Sequence, residues 1–261
     1  MNKVRLIPVI FIKNGFIVRS EKFIQHKKIG NVVNQVRRYN QWDVDELIFI
    51  DISREKFHDS MRDDHKIERV NSIDQILNSV SNECFMPLAF GGGIRDLETI
   101  KRYIKSGADK IIVNTLFFEN PNIIEKAIEI FGSQAIVLSL DFRVTMNKIS
   151  FYSKNGEKKE KESFEDIIKR ITNVGVGELL LNSIDRDGTG EGYDIEVIKR
   201  FVDSLPIPVI ACGGAISYFD FEQVALIKNI SGIAAGNLFH FTENAYPNAK
   251  KKLKEKKLNF R

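Results

Sequence analysis

The stretch MPLAFGGGIRD (Met86–Asp96) decides the fold, because its pattern returns downstream as PVIACGGAIS (Pro208–Ser217). In both copies a short apolar run leads into glycines, and a helix start follows. A strand, a glycine turn and a helix N-terminus together form a phosphate seat, since backbone N–H groups can approach an anion where no side chain intervenes. The alternative is that both are ordinary turns that need positive φ.

A second pair of segments supports an internal repeat. At the offset that aligns Gly91 with Gly213, ADKIIVNTLFFE (Ala108–Glu119) falls on ISGIAAGNLFHF (Ile230–Phe241). Matched material on both sides of the glycine turns indicates that one fold unit was used twice. The two turns are therefore predicted to have equivalent functions at symmetry-related positions of the fold.

The whole chain alternates short β-rich runs with segments of helical period. Eight such units fit into 261 residues, and no linker rich in Pro, Gly or Ser divides them. This pattern favours an α/β fold, a closed (βα)₈ TIM barrel with a two-fold half-barrel repeat, over an open doubly wound sheet. We expect one domain over residues 1–261. The carboxyl ends of the strands, where barrel active sites lie, would gather Asp51, Gly91–Gly93, Asn114, Asp141, Asp187 and Gly213-Gly214.

Three segments carry more specific expectations. The polar stretch Lys13–Gly30 is predicted to be a long loop, and its length suggests a mobile lid. Phe85–Phe90 is predicted to be the strand before the first glycine turn, and Phe142–Ser153 a β-hairpin. His58 and His65 lie in a charged loop and are interpreted as solvated side chains rather than as a metal pair.

Composition and charge exclude several classes of function. The net charge of +4 is modest, and the basic runs Lys148–Lys161 and Lys250–Lys257 are explained by a solvated loop and an exposed helix end, so no nucleic-acid role is supported. Cys84 and Cys212 are interpreted as small core residues in a reducing compartment, and no metal or cofactor is predicted. No signal peptide and no apolar run of about 18 residues is present, which predicts a cytoplasmic protein without a membrane role.

Several motifs carry a resemblance that runs nearly end to end. The chain resembles the cyclase subunit of imidazole glycerol phosphate synthase, a barrel of the histidine pathway that receives ammonia from a glutaminase partner. The most specific motif is SIDRDGT followed by GYD, within Ser183–Asp194. The other matching stretches are RLIPVIFIKNG, DELIFIDI, FGGGIRD, GADKIIVNT, FGSQAIV, ACGGA and LFHF. The resemblance implies a half-barrel duplication and a ligand with a phosphate at each end.

The resemblance also implies site residues at the matching positions of this chain. At one end of the ligand, the implied phosphate contacts are Gly93, Asn114 and Thr115. At the other end, they are Asp187, Gly188, Gly214, Ala235 and Gly236. The implied ring of charges that gates ammonia at the amino-terminal mouth is Arg5, Glu46, Lys110 and Glu178. Two cations and two carboxylates at strand starts can pair into a closed layer across the barrel axis. The aspartate implied to face the glutaminase is Asp109.

The catalytic pair is where this chain departs from the family. The family uses two aspartates, at the ends of strands one and five, as general acid and base. Asp141 supplies the strand-five member, but Phe11 stands at the strand-one position. A phenyl ring cannot transfer a proton, and loss of one member of such a pair removes on the order of 10²–10⁴ in rate. Asn14, Asp51 or Asp187 is the alternative proton-transfer group.

Two smaller departures, Arg19 for an expected lysine and Cys212 for an expected serine, agree with a changed pocket. The leading hypothesis is a diverged barrel of the kind found in bacterial surface-polysaccharide clusters. It would bind a phosphorylated small molecule and pass ammonia from a glutaminase to an amidotransferase that acts on a nucleotide-activated sugar. The alternatives are a working histidine-pathway cyclase and a scaffold that only activates its glutaminase. A phosphoribosyl isomerase is a weaker candidate, because it needs no ammonia gate.

Overall fold

The computed structural model describes residues 3–54 and 72–261 of the chain. His58 and His65 lie outside the described residues. Within those two ranges, no helix is long and apolar enough to cross a membrane.

Twelve strands and ten α-helices make up the described structure. The strands are β1 (Arg5–Lys13), β2 (Phe16–Glu21), β3 (Gln25–Gly30), β4 (Leu47–Asp51), β5 (Leu88–Gly91), β6 (Lys110–Val113), β7 (Ile136–Thr145), β8 (Lys148–Ser153), β9 (Lys158–Lys159), β10 (Glu178–Ser183), β11 (Val209–Cys212) and β12 (Ile230–Ala235). The helices are α1 (Val32–Gln41), α2 (Ile73–Glu83), α3 (Leu97–Lys105), α4 (Thr115–Glu119), α5 (Pro121–Phe131), α6 (Phe164–Val174), α7 (Ile195–Ser204), α8 (Tyr218–Ala225), α9 (Asn237–Phe241) and α10 (Ala245–Glu255).

Eight of these strands form a closed parallel barrel, as predicted. Their order is β1, β4, β5, β6, β7, β10, β11 and β12, and β12 pairs with β1 to complete the circle. Helices follow the strands and cover the outside of the sheet, which is the arrangement of a (βα)₈ barrel. The carboxyl ends of the eight strands therefore meet at one mouth.

The two halves of the barrel share features that support the predicted repeat. The first barrel strand of each half, β1 or β7, continues past the barrel and pairs antiparallel with the next strand, β2 or β8. The short helices α4 and α9 have five residues each and occupy equivalent places. Arg170 donates hydrogen bonds to the carbonyls of Phe117 and Phe118 in α4, and Arg38 does the same for α9. Each arginine thus satisfies helix carbonyls that lack an intrahelical partner.

The prediction of a long loop over Lys13–Gly30 was wrong, because this segment forms the hairpin of β2 and β3. In β2 the apolar side chains Ile17 and Val18 are buried, so the hairpin packs against the barrel. Most side chains of β3 are polar, and this strand is held by backbone pairing with β2 rather than by an apolar face.

Two further differences concern element limits. The strand predicted over Phe85–Phe90 begins only at Leu88, and the Phe85 side chain is 88% exposed. Pro87 lacks a backbone N–H and lies just before the strand, where it donates nothing to the sheet. Helices α4 and α5, which the sequence patterns did not locate, lie between β6 and β7. Pro121 at the first position of α5 is a helix-start signal that was available in the sequence.

Alternation along the strands produces layers inside the barrel, because side chains two residues apart share a face. On β1, Arg5, Ile7, Val9 and Phe11 follow one another from the amino end to the mouth. A cluster of mostly apolar interior side chains fills the middle of the barrel: Ile7, Val9, Phe11, Val18, Ile48, Ala89, Ile112, Val137, Leu180, Ile210, Cys212 and Ala234. A second and larger apolar cluster lies between the sheet and the helices. Along β1 the interior therefore passes from a charged residue at the amino-terminal end, the floor of the barrel, through an apolar middle to the mouth.

Candidate functional site

Four charged side chains close the amino-terminal floor of the barrel. Arg5, Lys110 and Glu178 are the first residues of β1, β6 and β10, and Glu46 directly precedes β4. The Lys110 Nζ lies 2.9 Å from Glu46 Oε1 and 2.8 Å from Glu178 Oε2. Arg5 pairs with the same two carboxylates through its two terminal nitrogens. Each anion thus contacts both cations, and the four groups form a closed ring of ion pairs.

The ion-pair partners of Arg5 and Glu178 keep these two side chains charged despite burial. Burial alone would lower the pKa of Arg5, but Glu178 and Glu46 raise that pKa above its ordinary value. Burial alone would raise the pKa of Glu178, but Arg5 and Lys110 hold that pKa below its usual range. The carboxylate side chains of Glu46 and Glu178 are only 3% and 7% exposed. Removing one partner would leave a buried charge without compensation.

Asp109 lies beside the ring at the same end of the barrel. Its Oδ2 accepts a hydrogen bond of 2.8 Å from the backbone N–H of Leu88, and its own N–H donates to the Leu88 carbonyl. The residue is exposed, as a partner-facing position requires. Its role in docking stays a prediction.

At the opposite end, a cavity of about 680 Å³ opens among the carboxyl ends of the strands and the loops above them. Phe11 and Asp141 both line it, from β1 and β7, which are opposite each other in the eight-strand circle. Among the three alternative proton-transfer groups, Asp51 also lines the cavity, whereas Asn14 and Asp187 do not. The Asp51 Oδ1 accepts hydrogen bonds from the backbone and side chain of Ser53. An acid is therefore present near the mouth, but at the end of β4 rather than β1.

Asp141 is buried, and its surroundings set its protonation. Asn114 Nδ2 lies 3.2 Å from Asp141 Oδ2, and the Ser139 hydroxyl donates to Oδ1 at 3.4 Å. Burial raises the pKa of Asp141 to about 7, hydrogen bonds from Asn182 and Ser139 oppose the rise, and the charge of Asp187 adds to it. A carboxyl group with this pKa can both donate and accept a proton near neutral pH.

The first predicted phosphate seat faces the same cavity. Gly93, Asn114 and Thr115 all line it. Gly93 has φ +64°, and a Cβ there would meet no atom within 4 Å, so its backbone borders open space. The neighbouring Gly92 has φ +112°, and a Cβ there would lie 2.1 Å from the Asp51 carbonyl oxygen. Glycine is thus required at Gly92 by close packing and at Gly93 by backbone conformation.

The second predicted seat lies next to this cavity rather than on it, since Ser20 lines the cavity and donates a hydrogen bond to Asp187. None of its members, Asp187, Gly188, Gly214, Ala235 and Gly236, lines the cavity. Asp187 instead holds the hairpin: its Oδ2 accepts a hydrogen bond of 2.6 Å from Ser20, and its carbonyl accepts one from Lys22. Burial raises the pKa of Asp187, which the bonds from Ser20 and Phe23 oppose. Phosphate binding at both seats stays a prediction.

Two polar residues of the mouth were missed in the sequence. Asn182 and Ser139 are both buried, line the cavity and hydrogen-bond to Asp141. Ser139 lies two residues before Asp141, and Asn182 lies on the same face of β10 as Glu178. Side chains two residues apart on a strand point to the same face, so both residues could have been identified from the predicted site residues Asp141 and Glu178. Within residues 3–54 and 72–261, no group of three or more His, Cys, Asp or Glu side chains is placed to hold a metal.

The sequence was compared with known proteins. The model of the family described as "Histidine biosynthesis protein" matches residues 5–245, which spans all eight barrel strands. The chain belongs to this histidine biosynthesis family. It is 36% identical over 258 residues to "Imidazole glycerol phosphate synthase subunit HisF" of Alkaliphilus metalliredigens, covering 98% of each chain. It is 36% identical over 261 residues to "Putative imidazole glycerol phosphate synthase subunit hisF2" of Vibrio vulnificus, covering 100% of this chain and 92% of the relative.

A third relative supports the same assignment within the histidine biosynthesis family. "Putative imidazole glycerol phosphate synthase subunit HisF" of Leptospira interrogans is 37% identical over 241 residues, or 92% of this chain and 91% of the relative. The resemblance to the cyclase subunit is therefore confirmed at the level of the family. Phe11 lines the cavity at the mouth, at the position where the resemblance implies a catalytic aspartate.

The pKa of Asp141 predicts a pH-dependent stability. The folded pKa of about 7 lies above the ordinary 3.8, so the folded state holds this proton more tightly and loses stability as pH rises from 4 to 7. Asp141→Asn removes the charge and is expected to raise the free energy of unfolding at pH 8 by up to about 4 kcal/mol, and by less than half as much at pH 5. Denaturant unfolding of the native chain and of the variant at pH 5 and pH 8 measures this difference in stability.

Asp166→Asn is the matched control, because Ser163 lowers the pKa of that capping carboxyl. The control should lose stability at pH 8, which is the opposite sign. Equal gains from Asp141→Asn at pH 5 and pH 8 would contradict the raised pKa.

Proposed function

We propose that this barrel receives ammonia from a glutaminase partner at its amino-terminal floor and releases it at the mouth for amidation of a nucleotide-activated surface sugar. It is then the synthase-like subunit of a glutamine amidotransferase complex. The observation that carries the proposal is a complete ring of Arg5, Glu46, Lys110 and Glu178 combined with Phe11 at the mouth. The chain keeps what ammonia entry needs and lacks one acid of the cyclase pair.

The interior supports passage of a neutral molecule. Above the ring, Ile7, Ile48, Ile112 and Leu180 form an apolar section. An isolated ion is costly to move through such a section, whereas neutral ammonia carries no net charge. The ring and the apolar section together favour NH₃ over NH₄⁺ and over other ions.

The amino-terminal face supports a docked partner. Phe85 is 88% exposed and directly precedes the loop into β5, while the exposed Asp109 precedes the neighbouring strand β6. Aromatic side chains are enriched in protein–protein interfaces relative to the rest of the surface. We assign this face to a glutaminase of the kind that partners the imidazole glycerol phosphate synthase cyclase.

A working histidine-pathway cyclase is the second candidate. It is favoured by Asp141 with its pKa of about 7, by the first phosphate seat on the same cavity, and by Asp51 as a second carboxyl group there. On this alternative, the chain converts a phosphoribulosyl formimino aminoimidazole carboxamide ribonucleotide to imidazole glycerol phosphate.

The test mixes the purified chain with each glutaminase subunit encoded in the same genome and measures glutamine hydrolysis and product formation. Two acceptors are supplied in parallel: the ribonucleotide, and a nucleotide-activated sugar together with its amidotransferase. We expect glutamine-dependent amidation of the sugar and little imidazole glycerol phosphate. Robust cyclase turnover would reject the proposal in favour of the second candidate. Stimulated glutamine hydrolysis with neither product would reject both and support a scaffold.

A further inference from the structure

Lys13 places a positive charge at the mouth, one step beyond Phe11. Side chains two residues apart on a strand share a face, so Lys13 follows Phe11 on the inner face of β1, and both line the cavity. Among the described residues, six Lys and Arg side chains line this cavity, against three of Asp and Glu. Five of the six cations pair with a carboxylate or are exposed to water. Lys13 is half-buried, and residues 3–54 and 72–261 contain no carboxylate within ion-pair distance of its Nζ.

A neutral histidine holds this ammonium group in place. The Lys13 Nζ lies 3.3 Å from the Nδ1 of His26, which is on β3 and also lines the cavity. An ammonium group only donates hydrogen bonds, so Nδ1 is the acceptor and the proton of the neutral ring is on Nε2. Burial, Lys13 and Arg54 all lower the pKa of His26, which keeps the ring neutral at pH 7. Two of the three N–H groups of the Lys13 ammonium therefore remain for a ligand.

The hydrogen bond could serve as a latch that holds the β2–β3 hairpin against the end of β1. A latch does not require positive charge, yet Lys13 and Arg54 both lie close enough to His26 to lower its pKa. Arg54 has its own carboxylate partner, and the Asp51 Oδ1 accepts hydrogen bonds from Ser53. A cation that is partly withdrawn from water is stabilised by an anion brought next to it. The arrangement therefore favours an anionic ligand at Lys13.

We infer that Lys13, oriented by His26, binds an oxyanion of a small molecule, a carboxylate or a phosphate group, on the β1 side of the mouth. This place is separate from the two predicted phosphate seats, which depend on backbone N–H groups of glycine turns. Asp141 is on β7, opposite β1 in the eight-strand circle, so the bound anion is held away from that carboxyl group. The inference goes beyond the proposed function, since binding of an oxyanion does not require a supply of ammonia.

The protonation of His26 reports the binding of an anion to Lys13. The chain has four histidines, and the ring signal that disappears in His26→Gln identifies the Cε1–H of His26 by NMR. The pKa of His26 is then measured in sodium sulfate, sodium formate and sodium chloride at equal ionic strength. Sulfate represents a phosphate group, and formate represents a carboxylate. Because a bound anion offsets the charge of Lys13, we expect sulfate, formate or both to raise this pKa by about 1 relative to chloride. The salt that does so names the class of ligand.

Variants locate the anion. Lys13→Met should raise the pKa of His26 in chloride, because it removes the adjacent charge, and should abolish the further rise in the oxyanion salt. Lys13→Arg keeps the charge and should keep the further rise, which also covers the case in which the methionine variant fails to fold. Lys22→Met is the matched control, since it removes an exposed cation that lines the same cavity, and it should keep the further rise.

The inference is overturned if the pKa of His26 is the same in all three salts, because the hydrogen bond is then only a latch for the hairpin. A further rise that persists in Lys13→Met would place the anion elsewhere and would also overturn it. Equal losses of the rise in Lys13→Met and Lys22→Met would contradict a site at Lys13, since general attraction of anions to the cavity would then explain the result.

Discussion

Phe11→Asp is expected to raise the formation of imidazole glycerol phosphate by about 10²–10⁴-fold over the native chain. The substitution places a carboxyl group at the end of β1, across the mouth from Asp141, where both residues line one cavity. Two carboxyl groups in different environments can hold opposite protonation states, which acid–base catalysis requires. Steady-state turnover of the ribonucleotide with ammonium chloride as the nitrogen donor measures the gain without any glutaminase.

Phe11→Asn is the matched control, since it has nearly the shape of aspartate but cannot shuttle a proton. It should stay at the native rate. Both variants lose the buried phenyl ring and are expected to be less stable by about 3–5 kcal/mol, so their folding is checked by circular dichroism first. Native turnover as high as that of Phe11→Asp would show that Asp51 or another group completes the pair, and the divergence hypothesis would fail.

Glu178→Gln is expected to have the second largest effect. It removes one of the two buried anions between Arg5 and Lys110 and leaves both cations to share Glu46. Breaking a buried ion pair from one side destabilises a fold by about 3–5 kcal/mol. The free energy of unfolding measured in denaturant should fall by that amount.

The same variant should also separate entry of ammonia from its use. Product formed with glutamine as the nitrogen source should fall more than product formed with added ammonium, because only the glutamine route requires the floor of the barrel. Glu83→Gln is the control, since Glu83 pairs with Arg37 on the exposed surface of α1 and α2. It should leave both measurements unchanged. An equal fall in the glutamine and ammonium routes would contradict the role of the ring.

Much of the barrel could be predicted because its pattern is local. The glycine turns at Gly91 and Gly213 end two equivalent strands, and the repeat they mark extends to the paired short helices α4 and α9. The charged residues at strand starts could be placed at one end for the same reason, since parallel strands share their direction. Their pairing into one ring depends on barrel closure, to which both the β12–β1 and the β7–β10 pairings are necessary.

The features that were not predicted depend on contacts between segments that are distant in the sequence. Lys13–Gly30 was predicted as a loop because it is a polar stretch with side chains such as Arg19 and Lys27. The extended end of β1 nevertheless provides an edge for β2 to pair with. Asn182 was missed although the alternation of β10 places it on the same face as Glu178.

The most direct test of passage through the barrel uses glutamine labelled with ¹⁵N in its amide group, in the presence of excess unlabelled ammonium chloride. The complex contains this chain, its glutaminase and the sugar amidotransferase, and the ¹⁵N content of the amidated sugar is read by mass spectrometry. Delivery through the ring of Arg5, Glu46, Lys110 and Glu178 predicts a product that carries mostly ¹⁵N, with the label lost in Glu178→Gln. A product whose nitrogen matches the unlabelled pool would contradict the account.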